Sequence, residues 1–275
     1  MSVLQTEGLG FVYPDGTRAL EGVDLRIVPG EAVAIIGQNG SGKSTLVRHF
    51  NGLLRATQGR VLLDGLDVAG RHVAELARTV GITFQNPDRQ IFARRVREEV
   101  AFGPRNLGAS GAELEARVRG ALEAVALLAH ADVNPYDLGY SQRKLLSLAS
   151  VLAMQTPVVV LDEPTTGQDA RGIARVREIV AALTAEGRTV VATSHDMHFV
   201  AETFPRIVVM RAGRIVLDAT PTEVYAERNW ELLATTFLQP TWAAQVGARE
   251  GIGDTPTDAS VVAALRLREE RAPQA

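Results

Sequence analysis

The chain has 275 residues, of which 46% are hydrophobic and 22% charged, with a formal net charge of −3 and no cysteine. This is the composition of an ordinary globular protein with room for one large domain or two smaller ones. It excludes disulfides and thiolate metal sites, is compatible with the cytosol, and argues against a general nucleic-acid binder. No apolar run approaches the roughly 18 residues of a membrane-crossing helix. The start, MSVLQTEG, lacks the charged and apolar segments of a secretory signal. Any attachment to a membrane is therefore expected to run through a protein partner. Lys43 and Lys144 are the only lysines, which reads as genomic composition rather than chemistry.

The first segments, GLGFVY and VDLRIV, are punctuated by YPDGT and VPGE and read as antiparallel strands. EAVAIIG (31–37) is a compact apolar run suited to a strand buried on both faces. The glycine-rich QNGSG follows, then KSTLVRHFNGLL with helical periodicity, then a hairpin-like GRVLLDGLDV (59–68). RTVGITFQ (78–85) reads as a strand entering a proline-bearing loop. Residues 86–156 change character: ELEARVRGALEAVALLAH (113–130) and SQRKLLSLASVLAM (141–154) both carry apolar positions at helical spacing. Strand–helix alternation then returns with PVVVLD, ARGIARVREIVAALTAEG, RTVVATSH and PRIVVMRAGRIVLDA. This order predicts an α/β fold: a mostly parallel sheet covered on both faces, an N-terminal antiparallel β-subdomain, and a helical lobe inserted at about 86–156. Residues 1–235 are expected to form the main domain, and 236–275 a short extension with one more amphipathic helix, DASVVAALRLREE, before a frayed APQA end.

GQNGSGKST (37–45) has the spacing of a phosphate-binding loop, with a buried strand before it and a helix after it. Gly37, Gly40 and Gly42, with Asn39 and Ser41, allow backbone N–H groups to turn inward around phosphate oxygens. The helix N-terminus adds partial positive charge. Lys43 is placed to reach the β- and γ-phosphates and Ser44 to ligate Mg²⁺, with Thr45 the last nucleotide-binding candidate of the loop. VVVLDE (158–163) supplies the complement. Asp162 emerges at the C-terminal end of a buried strand, where ligands of such sheets collect, with the role of holding Mg²⁺. Glu163, one step on, is placed to accept or orient the proton of an attacking water. Alone, an Asp-Glu pair is a solvated strand end; beside a phosphate loop the chemical reading prevails.

With these motifs in view, residues 3–235 resemble the ABC transporter ATPases, P-loop NTPases that hydrolyse ATP with Mg²⁺. The resemblance implies further roles. DEPTTGQD continues into what looks like the D-loop, ending at Asp169. Gln85 matches the Q-loop glutamine that links Mg²⁺ and the attacking water to the membrane partner, and His195 the switch histidine at the γ-phosphate. Tyr13 lies where such proteins stack an aromatic ring on adenine. FQNPDRQIFARRVREEVAFGPRNLG (84–108) and Gln168 resemble the energy-coupling factor and cobalt/nickel transporter ATPases. That group implies uptake of a vitamin or transition-metal ion, a membrane coupling subunit, a membrane substrate-binding subunit and a peripheral position on the cytoplasmic face. A soluble ABC protein of translation or DNA repair is the rival reading; one cassette and no heptad tract speak against it. A nucleotide-binding scaffold without turnover is opposed by intact Glu163 and His195.

LGYSQ (138–142) stands where such ATPases carry LSGGQ, the signature that contacts the nucleotide of a second, head-to-tail cassette. Gly139 takes the serine position and offers no hydroxyl. Losing a hydrogen bond to a charged group costs about 1.5–3 kcal/mol, roughly ten- to 150-fold in an equilibrium. Tyr140 and Ser141 add Cβ atoms where glycines allow close approach, and Gln142 completes the motif. Two outcomes are open: a heterodimer whose partner supplies an intact signature, which the pattern favours, or a homodimer in which the Ser141 hydroxyl swings into the gap.

Overall fold

The computed structural model describes residues 3–271. β1 (Leu4–Val12) and β2 (Arg18–Ile27) form an antiparallel hairpin, and β3 (Ala32–Ile36) leads into α1 (Lys43–His49). β4 (Gln58–Leu63) and β5 (Leu66–Asp67) return to the hairpin, giving an antiparallel sheet of order β2-β1-β4-β5. After α2 (Val73–Leu76) and β6 (Val80–Thr83), three helices follow: α3 (Val96–Asn106), α4 (Gly111–Ala124) and α5 (Tyr140–Leu152). β7 (Val158–Asp162), α6 (Ala170–Ala185), β8 (Thr189–Ser194), α7 (Met197–Thr203), β9 (Arg206–Arg211) and β10 (Arg214–Ala219) complete a second sheet. Its order is β10-β9-β3-β8-β7-β6, parallel throughout except for the β9–β10 hairpin. α8 (Pro221–Tyr225), α9 (Trp230–Thr235), α10 (Trp242–Glu250) and α11 (Asp258–Arg271) close the chain.

The central strands explain the apolar runs. In β3, Ala32, Ala34 and Ile36 face the helical side, while Val33 and Ile35 face the antiparallel sheet and α1. In β7, Val159 and Leu161 take the first face and Val158 and Val160 the second. With a period of two and both faces covered, every residue is apolar until the strand ends. Burying each of the valine, leucine and isoleucine side chains here is worth about 1.5–3 kcal/mol, and the alanines less.

Two expectations are corrected. The helix expected over 113–130 stops at Ala124: Ala126 turns left-handed (φ 56°) and Leu127 N–H bonds back to Leu122 O at 2.8 Å, which returns Leu127 to the core. A short 3₁₀ turn, Leu128–His130, follows. α11 exists but is not amphipathic. Its apolar residues are spread around the helix, leaving Val262, Leu265 and Leu267 exposed. The APQA end lies outside the described residues.

Candidate active site

Parallel strands in register bring three loops to one sheet edge. Ile36 pairs with Ser194, and Asp162 with Thr193, so the segments after β3, β7 and β8 leave the sheet side by side. This places the 37–45 loop, the Asp162–Glu163 pair and His195 together.

Gly42 precedes α1 at φ 104°, a conformation that suits glycine. A Cβ there would stand 2.6 Å from Ala19 O and 3.0 Å from Leu20 Cδ2, so the loop is clamped against β2. Asn39 and Gly40 are exposed at its tip, while Ser41, Lys43 and Thr45 are buried. The Lys43 ammonium donates to Gly37 O (2.7 Å) and Gln38 O (3.1 Å) and lies 3.7 Å from Glu163 Oε1. Burial lowers its pKa, and the neighbouring Glu163 and Asp162 carboxylates oppose that shift.

Asp162 Oδ1 accepts two hydrogen bonds, from Ser44 Oγ (2.8 Å) and Thr193 Oγ1 (2.7 Å). Asp162 Oδ2 is buried with no hydrogen-bond donor; its nearest cation is Arg48, at 3.9 Å. Glu163 adopts the left-handed region (φ 53°), a strained backbone for a non-glycine residue. Its N–H donates to Thr193 Oγ1 (2.9 Å) and its Oε2 pairs with His195 Nδ1 (2.8 Å) and Thr166 Oγ1 (3.3 Å). A buried carboxylate oxygen lacking a donor, beside a hydroxyl and a lysine-bearing loop, has the donor chemistry for a hard cation and the phosphates it neutralises. ATP with Mg²⁺ fits this set.

The remaining expected residues are more dispersed. Tyr13 is half-buried beside the loop, its hydroxyl 2.9 Å from Thr45 Oγ1 and its ring edge-on to Phe11. Gln85 is exposed and outside the Asp162–Glu163 hydrogen-bond network; it lines a cavity of about 550 Å³ with Arg48 and Phe84. Arg48 is thus the side chain between that cavity and Asp162. Gly139, Tyr140, Ser141 and Gln142 open α5, and no described hydrogen bond joins them to the phosphate loop. Gln142 Oε1 accepts from Gly139 N–H (3.0 Å), and Ser141 Oγ donates to Gln168 Oε1. Asp169 caps α6, accepting from Gly172 N–H at 2.7 Å. Sequence reasoning missed Thr193, Arg48 and Lys144. For Thr193 the only available signal was a hydroxyl near the end of the strand before His195.

The chain matches the family described as ABC transporter over residues 20–166. It is 42% identical over 229 residues to the energy-coupling factor transporter ATP-binding protein EcfA of Methanocaldococcus jannaschii, covering 82% of each chain. It is 44% identical over 224 residues to a putative ABC transporter ATP-binding protein of Streptomyces avermitilis, covering 82% of this chain and 84% of that one. Among solved structures it is similar to cbiO1 from Clostridium perfringens, part of the ABC transporter complex cbiONQ. That match has a TM-score of 0.75 and 34% identity, over 90% of this chain and 98% of that one. A dimeric post-hydrolysis ATP-binding cassette bound to ADP and phosphate matches with a TM-score of 0.73 and 26% identity, over 79% and 98%. The fold and site define a nucleotide-binding cassette. The chain belongs to the ABC transporter ATPase family.

Proposed function

We propose that this chain is the ATP-hydrolysing subunit of an energy-coupling factor type importer. It powers uptake of a vitamin or a transition-metal ion through membrane partners. The observation that carries the chemistry is the convergence of Lys43, Asp162, Glu163 and His195 at one sheet edge. The relatives named as EcfA and as part of cbiONQ support the transport role. Residues 1–235 form the ATPase module and 236–275 an appended extension.

In this reading the loop from Gly37 to Thr45 wraps the triphosphate, with Tyr13 against the base. Lys43 contacts the β- and γ-phosphates. Ser44 and Asp162, with Gln85 brought in from the neighbouring cavity, would hold Mg²⁺, which would neutralise phosphate charge when bound. Glu163 orients the attacking water and takes its proton, and His195, on the same carboxylate, meets the γ-phosphate. Asp169 and the LGYSQ segment face a second cassette, and closure of the pair moves the helical lobe that the membrane coupling subunit grips. Among the described residues no helix is long and apolar enough to cross a membrane. In this reading integral partners, including a membrane substrate-binding subunit, hold the chain at the cytoplasmic face, and the relatives named as transporter ATP-binding proteins support it.

The test is Glu163→Gln, which keeps shape and removes the base. Turnover is expected to fall at least about 100-fold with MgATP affinity retained. Unchanged turnover in that variant refutes the assigned role.

A further inference from the structure

α5 is fastened to three other parts of the site by polar contacts that the signature comparison does not anticipate. Ser141 Oγ donates to Gln168 Oε1, beyond the catalytic strand. Ser147 O accepts from Gln90 Nε2 at 2.9 Å, and the same Gln90 side chain accepts from Phe84 N–H at 3.1 Å, next to Gln85. Between these two anchors, the Lys144 ammonium donates to the backbone carbonyl of Glu163.

Lys144 is 7% exposed, one of only two lysines in the chain, and it grips the strained turn from the α5 side. Thr193 holds the Glu163 N–H, and Lys144 holds the Glu163 C=O, which also accepts a longer bond from Thr166 N–H at 3.4 Å. A left-handed residue persists only where its surroundings over-determine it, and these contacts do so here, with Lys144 the only charged donor among them. Burial brings the Lys144 ammonium down to about 8, against the opposing pull of the Glu163 and Asp162 carboxylates. Cost of that kind at a buried site marks a group held for position rather than for solubility.

We infer that Lys144 is a positioning residue for hydrolysis: by gripping the Glu163 carbonyl from α5, it aims the Glu163 carboxylate and ties that aim to the placement of the signature helix. A shift of α5 on engaging the nucleotide of a second cassette is thereby transmitted to this chain's own glutamate. The inference rests on the role assigned above to Glu163.

The test compares Lys144→Met, which keeps length and removes the donor, with Lys144→Gln, which keeps a donor on a shorter arm. Each is assayed in the assembled ATPase for kcat, KM and MgATP affinity, beside Glu163→Gln. Removing a charge-assisted hydrogen bond predicts a fall in kcat of about ten- to 100-fold for K144M, with affinity within twofold of wild type and partial recovery of kcat in K144Q. Wild-type kcat in K144M overturns the inference, as does a parallel loss of kcat and affinity that K144Q does not relieve. Should K144M fail to fold, K144Q decides: reduced kcat at unchanged affinity supports the inference, and wild-type kcat or weakened affinity overturns it. An inactive E163Q beside a fully active K144M rejects the inference alone, whereas an active E163Q rejects the site assignment beneath it.

Discussion

Thr193 is the residue whose hydroxyl joins the Asp162 carboxylate to the Glu163 backbone, and Thr193→Val isolates that function because it preserves shape and deletes the hydroxyl. The hydroxyl is fully buried, donates to Asp162 Oδ1 at 2.7 Å and accepts from Glu163 N–H at 2.9 Å. A buried bond to a charged acceptor is worth about 1.5–3 kcal/mol and a neutral one about 1. Two features limit the loss. Asp162 Oδ1 keeps its bond from Ser44, and Glu163 N–H retains a 3.2 Å contact to Thr193 O. The expected destabilisation is therefore about 2–4 kcal/mol, or roughly 4–8 °C in Tm for a chain of this size. Thr193→Ser serves as the control, since it keeps the hydroxyl and loses one methyl, at about 1 kcal/mol. Thermal melts and steady-state hydrolysis are measured on all three proteins. T193V is expected to lose at least about tenfold in kcat while T193S stays within twofold, because only the former removes a bond to the Asp162 carboxylate and one to the Glu163 amide. If T193V melts within 2 °C of wild type and hydrolyses ATP normally, roughly no energy flows through the hydroxyl and the argument for Thr193 fails.

Two other outcomes are expected. Because burial lowers the Lys144 pKa to about 8, the folded chain binds fewer protons than the unfolded chain between about pH 8 and the ordinary lysine value of 10.5. Unfolding free energy therefore rises with pH across that window, by at most about 1.4 kcal/mol per pH unit from this group. In urea titrations at pH 7.5 and 9.5, wild type gains more stability than K144M; equal gains contradict the assignment. Second, the purified chain without another cassette is expected to hydrolyse ATP slowly and without cooperativity. Brisk, cooperative turnover by the chain alone defeats the unequal pair.

What could be read from the sequence divides along a physical line. The phosphate loop was legible because its function is set by backbone freedom within a few consecutive residues, and Asp162 because a strand buried on both faces must stay apolar until it ends. Thr193 was not legible, since its significance depends on the Asp162–Thr193 register between β7 and β8, which no local pattern encodes. Lys144 was misread for a similar reason: periodicity places it on a helix but does not say that the helix packs its ammonium onto a carbonyl 19 positions away. The stop of α4 at Ala124 escaped because VALL continues the apolar period while the chain itself turns left-handed at Ala126. Local pattern finds the groups that act, and tertiary register finds the groups that hold them.

The LGYSQ departure gains a physical meaning from the same contacts. Gly139 has no hydroxyl, its N–H is taken by Gln142, and the Ser141 hydroxyl is taken by Gln168. A Ser141 that compensates at the partner's nucleotide must first break that bond and leave a polar group beside α6 unmatched. Tyr140 adds a steric reason. Gly167 sits at φ 74° with the Tyr140 ring so close that a Cβ would fall 2.5 Å from Cε1, so the ring and the turn occupy one shared space. What α5 retains for an anion is its first turn of backbone amides and the dipole of a 13-residue helix, a weaker and less directional attraction than a serine hydroxyl. In the proposed pair the departure gives up contact with the opposite nucleotide, while within this chain Tyr140 and Ser141 pack against Gly167 and Gln168. That exchange fits the proposed unequal pair, in which a different subunit would supply an intact signature to the site of Lys43, Asp162, Glu163 and His195.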